Sequence, residues 1–169
     1  MLAFTILCPI FVIFGTILQI VRSEECIRWQ NHEKELSNCC KWDPPYPRES
    51  MHHCSQSATE QVTQDKQELY RCIFECYFEE LGIVVDQTLN VDKLSEYLQA
   101  LSEEVRNHVI DTYKKCAAET TNTLRVCNSF AQELEMCALE EIGVGCPDEI
   151  FTPGEICDKR RSGVKFCQD

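Results

Sequence analysis

Cysteine constrains this chain more than any other residue. Thirteen occur among 169 residues, and all but Cys8 lie between Cys26 and Cys167. A chain this rich in thiols folds either as a crosslinked scaffold or around metal, and the redox compartment decides which. Leu2 to Val21 carry no charged side chain and are followed by Arg22, Ser23, Glu24 and Glu25. That is the pattern of a secretory signal, with the amino terminus as its positive end and Val21 and Ser23 at −3 and −1 of a cut before Glu24. An uncleaved anchor competes with this reading, because about twenty apolar residues can span a bilayer. The acidic flank argues against it, since a cytoplasmic stop carries Lys and Arg. The sequence therefore reads as a signal peptide over residues 1–23 and a single secreted, extracellular domain over residues 24–169.

Removing the signal deletes Cys8 and Arg22, which leaves twelve cysteines and shifts the net charge from −12 to −13. An even count in an oxidising compartment means disulfides, so Cys26, Cys39, Cys40, Cys54, Cys72, Cys76, Cys116, Cys127, Cys137, Cys146, Cys157 and Cys167 are all expected to be bridged. A mature chain of this length makes one modest core that six crosslinks reinforce. The acidic balance argues against nucleic acid or an anionic membrane surface as partner, because both reward Lys and Arg. Stable membrane insertion of the mature chain is not expected.

The periodicity predicts an all-α fold. Cys26 to Leu36 can form a short helix, which Pro44, Pro45 and Pro47 stop from continuing, so Cys39 to Ser50 reads as a stapled loop. Leu69, Cys72, Ile73, Cys76, Tyr77 and Leu81 repeat at helical spacing and predict a helix near residues 60–81 that ends at Gly82. Gly82 to Asn90 reads as an apolar turn region. Asn90 then caps a helix bearing Val91, Leu94, Leu98 and Leu101, and Ser102 caps another that turns Val105, Val109, Thr112, Cys116 and Ala117 inward. A last helix is expected from about Asn122 to Ile142, with Cys127, Phe130, Ala131, Leu134, Cys137, Ala138 and Glu141 on one face and Gly143 as terminator. Residues 144–169 lack periodicity and form a C-terminal extension strapped down by Cys146, Cys157 and Cys167.

The cysteine spacing goes further. Cys72 and Cys76 lie four apart on one helix face and must reach different partners. From Cys76 there are thirty-nine residues to Cys116, then ten to Cys127, nine to Cys137 and eight to Cys146, which Pro147 follows. This ladder resembles the insect odorant-binding proteins, and in particular their Plus-C subgroup, which has additional cysteines, a proline after the sixth core cysteine and a cysteine-bearing extension. The resemblance makes Cys72, Cys76, Cys116, Cys137 and Cys146 the second to sixth core cysteines, with Cys40 or Cys54 as the first. It implies the pairs Cys72 with Cys137, Cys116 with Cys146, and Cys76 with Cys40 or Cys54. It also implies a compact helical carrier of odorants or pheromones that hands its cargo to membrane receptors, and ligand binding that weakens in acid.

Other chemistries fit less well. Cys39 and Cys40 invite comparison with secreted phospholipase A2, but Asp43 and Pro44 stand where that enzyme has its histidine base and aspartate. His52, His53 and Cys54 with Cys39 and Cys40 could make a zinc site, yet the compartment favours disulfides, and no metal or cofactor is expected. No G-x-S-x-G occurs and no pair of carboxylates stands out, so the chain does not read as an enzyme. Asp158 to Arg161 reads as an exposed loop between Cys157 and Cys167, with prohormone-type processing as the rival.

What remains is a stapled helical module with an apolar cavity, which binds small hydrophobic molecules by desolvation. Candidate ligand-binding residues, taken from the apolar stripes, are Phe74, Phe78, Leu94, Tyr97, Leu98, Leu101, Val105, Val109, Phe130 and Leu134. The expected partners are a small hydrophobic ligand and a membrane odorant receptor, with monomer and homodimer both open. The alternative is a secreted salivary or haemolymph interaction protein that binds a protein partner or sequesters a bioactive small molecule.

Overall fold

A computed structural model describes residues 26–62 and 64–167. The signal segment lies outside these residues. The described chain is all-α, with seven α-helices, one 3₁₀ turn at Leu98–Ala100 and a two-stranded hairpin. The helices are α1 (Trp29–Leu36), α2 (Arg48–Gln61), α3 (Lys66–Glu80), α4 (Val91–Tyr97), α5 (Glu103–Glu119), α6 (Phe130–Ile142) and α7 (Glu155–Arg161). No described helix is long and apolar enough to cross a membrane.

The predicted caps form. Asn90 Oδ1 accepts from the Lys93 amide at 3.1 Å, and Ser102 Oγ accepts from the Val105 amide at 3.4 Å. The apolar turn region is a hairpin, β1 (Val84–Val85) on β2 (Thr88–Leu89), turned by Asp86 and Gln87, both at positive φ. A two-residue loop between right-twisted strands requires that conformation. Gly82, at φ +68°, ends the α3 region as expected.

Several helices differ from expectation, beginning with α1, which starts at Trp29 and not at Cys26. The proline-rich loop gives way at Arg48 to α2, whose sequence RESMHHCSQSATEQ turns only Cys54 and Ala58 fully inward and so carries no apolar stripe. The helix expected near residue 60 therefore begins at Lys66, capped by Asp65. The helix expected from Asn122 begins at Phe130. Its first turn is displaced because Asn122 Oδ1 accepts from the Ser129 and Phe130 amides and Ser129 Oγ accepts from the Thr123 amide, a local bonding scheme that competes with helix. The basic run expected as a loop is helical in α7, with Arg160 buried.

All twelve cysteines from Cys26 onward are bridged. The pairs are Cys54–Cys76, Cys72–Cys127, Cys116–Cys137, Cys40–Cys146, Cys39–Cys157 and Cys26–Cys167. Cys76 thus takes Cys54, but the implied pairs Cys72–Cys137 and Cys116–Cys146 are not the ones formed. The interlocked order of first with third, second with fifth and fourth with sixth is kept once Cys127 is the fifth core cysteine and Cys137 the sixth. The loop that replaces the first turn of α6 carries Cys127 back to Cys72, where the buried Glu68 accepts from its amide at 2.8 Å. Cys39, Cys40 and Cys54 are all spent in disulfides and His53 pairs with Glu80 at 2.6 Å, so the thiolates a zinc site would need are not available.

α2 packs on α3, and α6 packs on both α3 and α5. The main core fills the space between them with Phe78, Leu94, Leu98, Val105, Val109, Tyr113 and Leu134. A second, smaller core of Ile27, Leu36, Cys39 and Cys157 lies where α1 meets α7.

Candidate functional site

The ten candidate residues come together in one place, the main core. Phe78, Leu94, Leu98, Val105, Val109, Phe130 and Leu134 are buried in it, and Phe74, Tyr97 and Leu101 pack against it partly buried. Five tyrosine and phenylalanine rings interlock there, Tyr46 contacting Tyr77, Phe78 and Tyr97, and Phe74 contacting Phe78. Inside the same core Tyr113 donates to the buried Glu135. Burial, only partly opposed by that bond, raises the Glu135 pKa above the ordinary carboxylate value.

The prominent apolar cleft lies elsewhere, and none of the ten lines it. It holds about 690 Å³, within the range of small-molecule sites. One wall is the outer face of α6, where Glu133, Met136, Cys137, Glu140 and Gly143 recur at helical spacing. The floor is Cys39, Cys40 and Trp42, and the far wall is Trp29 and Leu36 from the α1 region with Arg160 and Phe166 from the C-terminal segment.

Crosslinks and short backbone bonds build that far wall. The Lys41 amide donates to Ile150 O and the Thr152 amide to Cys39 O, both at 2.8 Å, beside the Cys39–Cys157 and Cys40–Cys146 bridges. The Ile27 amide donates to Lys165 O and the Cys167 amide to Ile27 O, which sets Phe166 edge-on to Trp29 at 5.5 Å between ring centroids. Arg160 crosses Gly143, where a side-chain carbon would lie 3.3 Å from its Cγ and Nε, tighter than ordinary contact, so glycine gives the Arg160 side chain room. Its guanidinium lies 4.6 Å over the Phe166 ring and donates to Glu140 O and Val164 O. Burial lowers its pKa, while the Glu140 and Glu141 carboxylates work the other way. The Trp42 indole N–H is buried and has no partner among the described residues.

Trp29, Met136 and Leu139, all in this cleft, are 43 to 55 % exposed. Large apolar side chains gathered in a concavity mark a binding surface, whereas the same side chains scattered would not. Stripe reasoning missed these residues because it followed the inward face of each helix. The available signals were aromatic residues close to cysteines, Trp29 after Cys26, Trp42 after Cys40 and Phe166 before Cys167, and the second stripe of α6.

Comparison with known proteins gives the family. The PBP/GOBP family model matches residues 29–141, more than half of the chain. The chain belongs to the insect odorant-binding protein family. This is a helical family of binding and carrier proteins for odorants and pheromones, consistent with the stapled all-α architecture. No curated protein and no solved structure matches the chain. The matched region supplies the α6 wall as far as Glu140, the floor and Trp29, while Gly143, Arg160 and Phe166 lie beyond it.

Proposed function

We propose that this family member is a secreted carrier that holds a small hydrophobic odorant or pheromone in the cleft between α6 and the disulfide-fastened ends of the chain, and delivers it to a chemosensory receptor. The observation that carries this reading is the cleft itself, which exposes apolar side chains at the cost of their burial. Six disulfides and a cysteine-bearing extension favour the Plus-C subgroup. The ten core residues are then the packing that holds α6 in place, because Leu94, Leu98, Val109 and Leu134 leave no accessible surface for a ligand.

The test is displacement of an environment-sensitive naphthalene dye by volatile aromatics and aliphatic alcohols, on the purified domain and on Met136→Arg and Leu139→Arg. These two side chains are about half exposed, so substitution leaves the melting temperature within a few degrees. Micromolar displacement that falls at least tenfold in both variants supports the cleft. Unchanged affinity in the variants would move the ligand into the main core, beside Phe74, Tyr97 and Leu101. Silence with every small apolar compound would favour a protein partner instead.

A further inference from the structure

We propose that Trp42 selects the cargo of this cleft: its indole N–H donates to the oxygen of a neutral carbonyl compound, a ketone, aldehyde or ester, whose apolar body lies against the floor. The proposal deepens the carrier reading and rests on it.

The unmatched donor is the first argument. Trp42 is half-buried and its ring forms part of the floor, but its N–H is closed off from water and has no partner among the described residues. A buried donor left unbonded has given up its water without compensation, so folded chains rarely keep one without a reason. Because solvent does not serve this N–H, its partner has to arrive with something pressed against the ring. A small turn of the half-buried indole presents its edge to such a group.

The neighbouring polar groups of the lining are served, which is the second argument. Ser37 Oγ donates to Lys34 O at 3.1 Å, and Arg160, only 5 % exposed, donates to Glu140 O and Val164 O. On the acceptor side, Cys39 O takes the Thr152 amide and Cys40 O the Trp42 amide, both at 2.8 Å, and Ile142 O takes His108 Nε2 at 3.0 Å. The floor thus has a donor to spare while these carbonyls are engaged.

That asymmetry decides the chemistry. A ketone, aldehyde or ester brings an acceptor and no donor, so it answers Trp42 and leaves nothing of its own unbonded. An alcohol also accepts, but its O–H meets floor carbonyls that already have donors. A carboxylate would enter a cleft whose α6 wall carries Glu133 and Glu140, in a chain of net charge −12. A protonated amine would meet the indole donor to donor. Trp29, Leu36, Met136 and Phe166 hold the apolar body by desolvation.

Acetophenone and α-methylstyrene have the same shape and differ in C=O against C=CH2, so calorimetric titration of the two isolates the carbonyl. In Trp42→Phe, which keeps a ring and removes the N–H, acetophenone should bind about three- to tenfold more weakly, the size of one hydrogen bond, and α-methylstyrene should stay within about twofold. A second readout needs no change in the floor. The chain has two tryptophans, so a nitrogen-15 correlation spectrum carries two indole N–H signals, which Trp29→Phe assigns. Saturating acetophenone should move the Trp42 signal downfield well beyond any shift with α-methylstyrene, whose ring currents are the same. A Trp42 signal that responds equally to both bound compounds, or an equal change in their affinities in Trp42→Phe, overturns the proposal and leaves the carrier reading standing. Failure of both compounds together with every other small volatile would sink both.

Discussion

Tyr113 donates its hydroxyl hydrogen to Glu135 Oε2 at 2.5 Å across the contact between α5 and α6, and both side chains are shut off from solvent. Burial raises the carboxyl pKa and this bond lowers it, with burial dominant. The folded chain therefore holds that proton more tightly than the unfolded one, a contribution present below the ordinary carboxylate value and lost as pH rises through the raised value. Glu135→Gln keeps an acceptor for Tyr113 and cannot ionise. It should raise the melting temperature at pH 7 and leave it unchanged at pH 4. A lower melting temperature at pH 7 would contradict this account. Acid thus tightens this part of the core, so any weakening of ligand binding below about pH 5.5 has to originate outside it.

The disulfide pairing is open to direct chemistry. Trypsin with a glutamate-specific protease separates Cys72, Cys116, Cys127, Cys137 and Cys146 onto different peptides, since Lys115, Glu119, Glu133 and Glu140 lie between them. Mass spectrometry of the unreduced digest should show Cys72 joined to Cys127 and Cys116 joined to Cys137. A peptide joining Cys72 to Cys137 would restore the pairing that the family resemblance implies and overturn the Cys72–Cys127 bridge.

Glu68 and Arg71 form an ion pair at 3.3 Å, with side-chain exposures of only 4 % and 7 %. Arg71→Met strands a buried carboxylate and should cost about 3–5 kcal/mol in guanidinium denaturation with disulfides intact. Adding Glu68→Gln to it removes the stranded charge and should recover much of the loss. If the single variant costs under about 1 kcal/mol, water reaches this site and the burial argument fails.

The bridge Cys26–Cys167 spans 141 residues of chain and sits beside Trp29 and Phe166. Cys26→Ser with Cys167→Ser should speed amide exchange over residues 157–167 and weaken cleft binding about tenfold, because Phe166 loses its anchor. Far-ultraviolet circular dichroism should barely change, since α2, α3, α5 and α6 keep their own bridges. Unchanged protection of the amides at positions 27 and 167 would mean that packing holds the ends together without the crosslink.

The caps were legible because they are local: Asn90 and Ser102 each satisfy an amide three residues on, so a few letters of sequence contain the whole interaction. The inward stripe of α5 was legible for the same reason. α2 was not, because a helix held by one disulfide and Ala58 has no periodic face to read. Cys127 escaped notice as a core cysteine because its position depends on Glu68, Glu75 and Asn122, which bind residues 127 to 130 from 7 to 59 residues away. The cleft is the extreme case. Trp29, Trp42, Met136 and Phe166 meet only after the two ends of the chain have been brought together, and no spacing rule reports that.

With Cys26 bonded to Cys167 at 5.0 Å between α-carbons, the backbone between them is a closed ring. An enzyme that removes residues one at a time from either end can trim as far as this bond and then meets a covalent junction instead of a free terminus. Degradation must therefore begin by cutting an internal loop or by reducing a disulfide. The same closure makes new termini tolerable elsewhere: a chain opened at the exposed Asp86–Gln87 turn and joined across the Cys26 and Cys167 ends would run through the same helices in a different order.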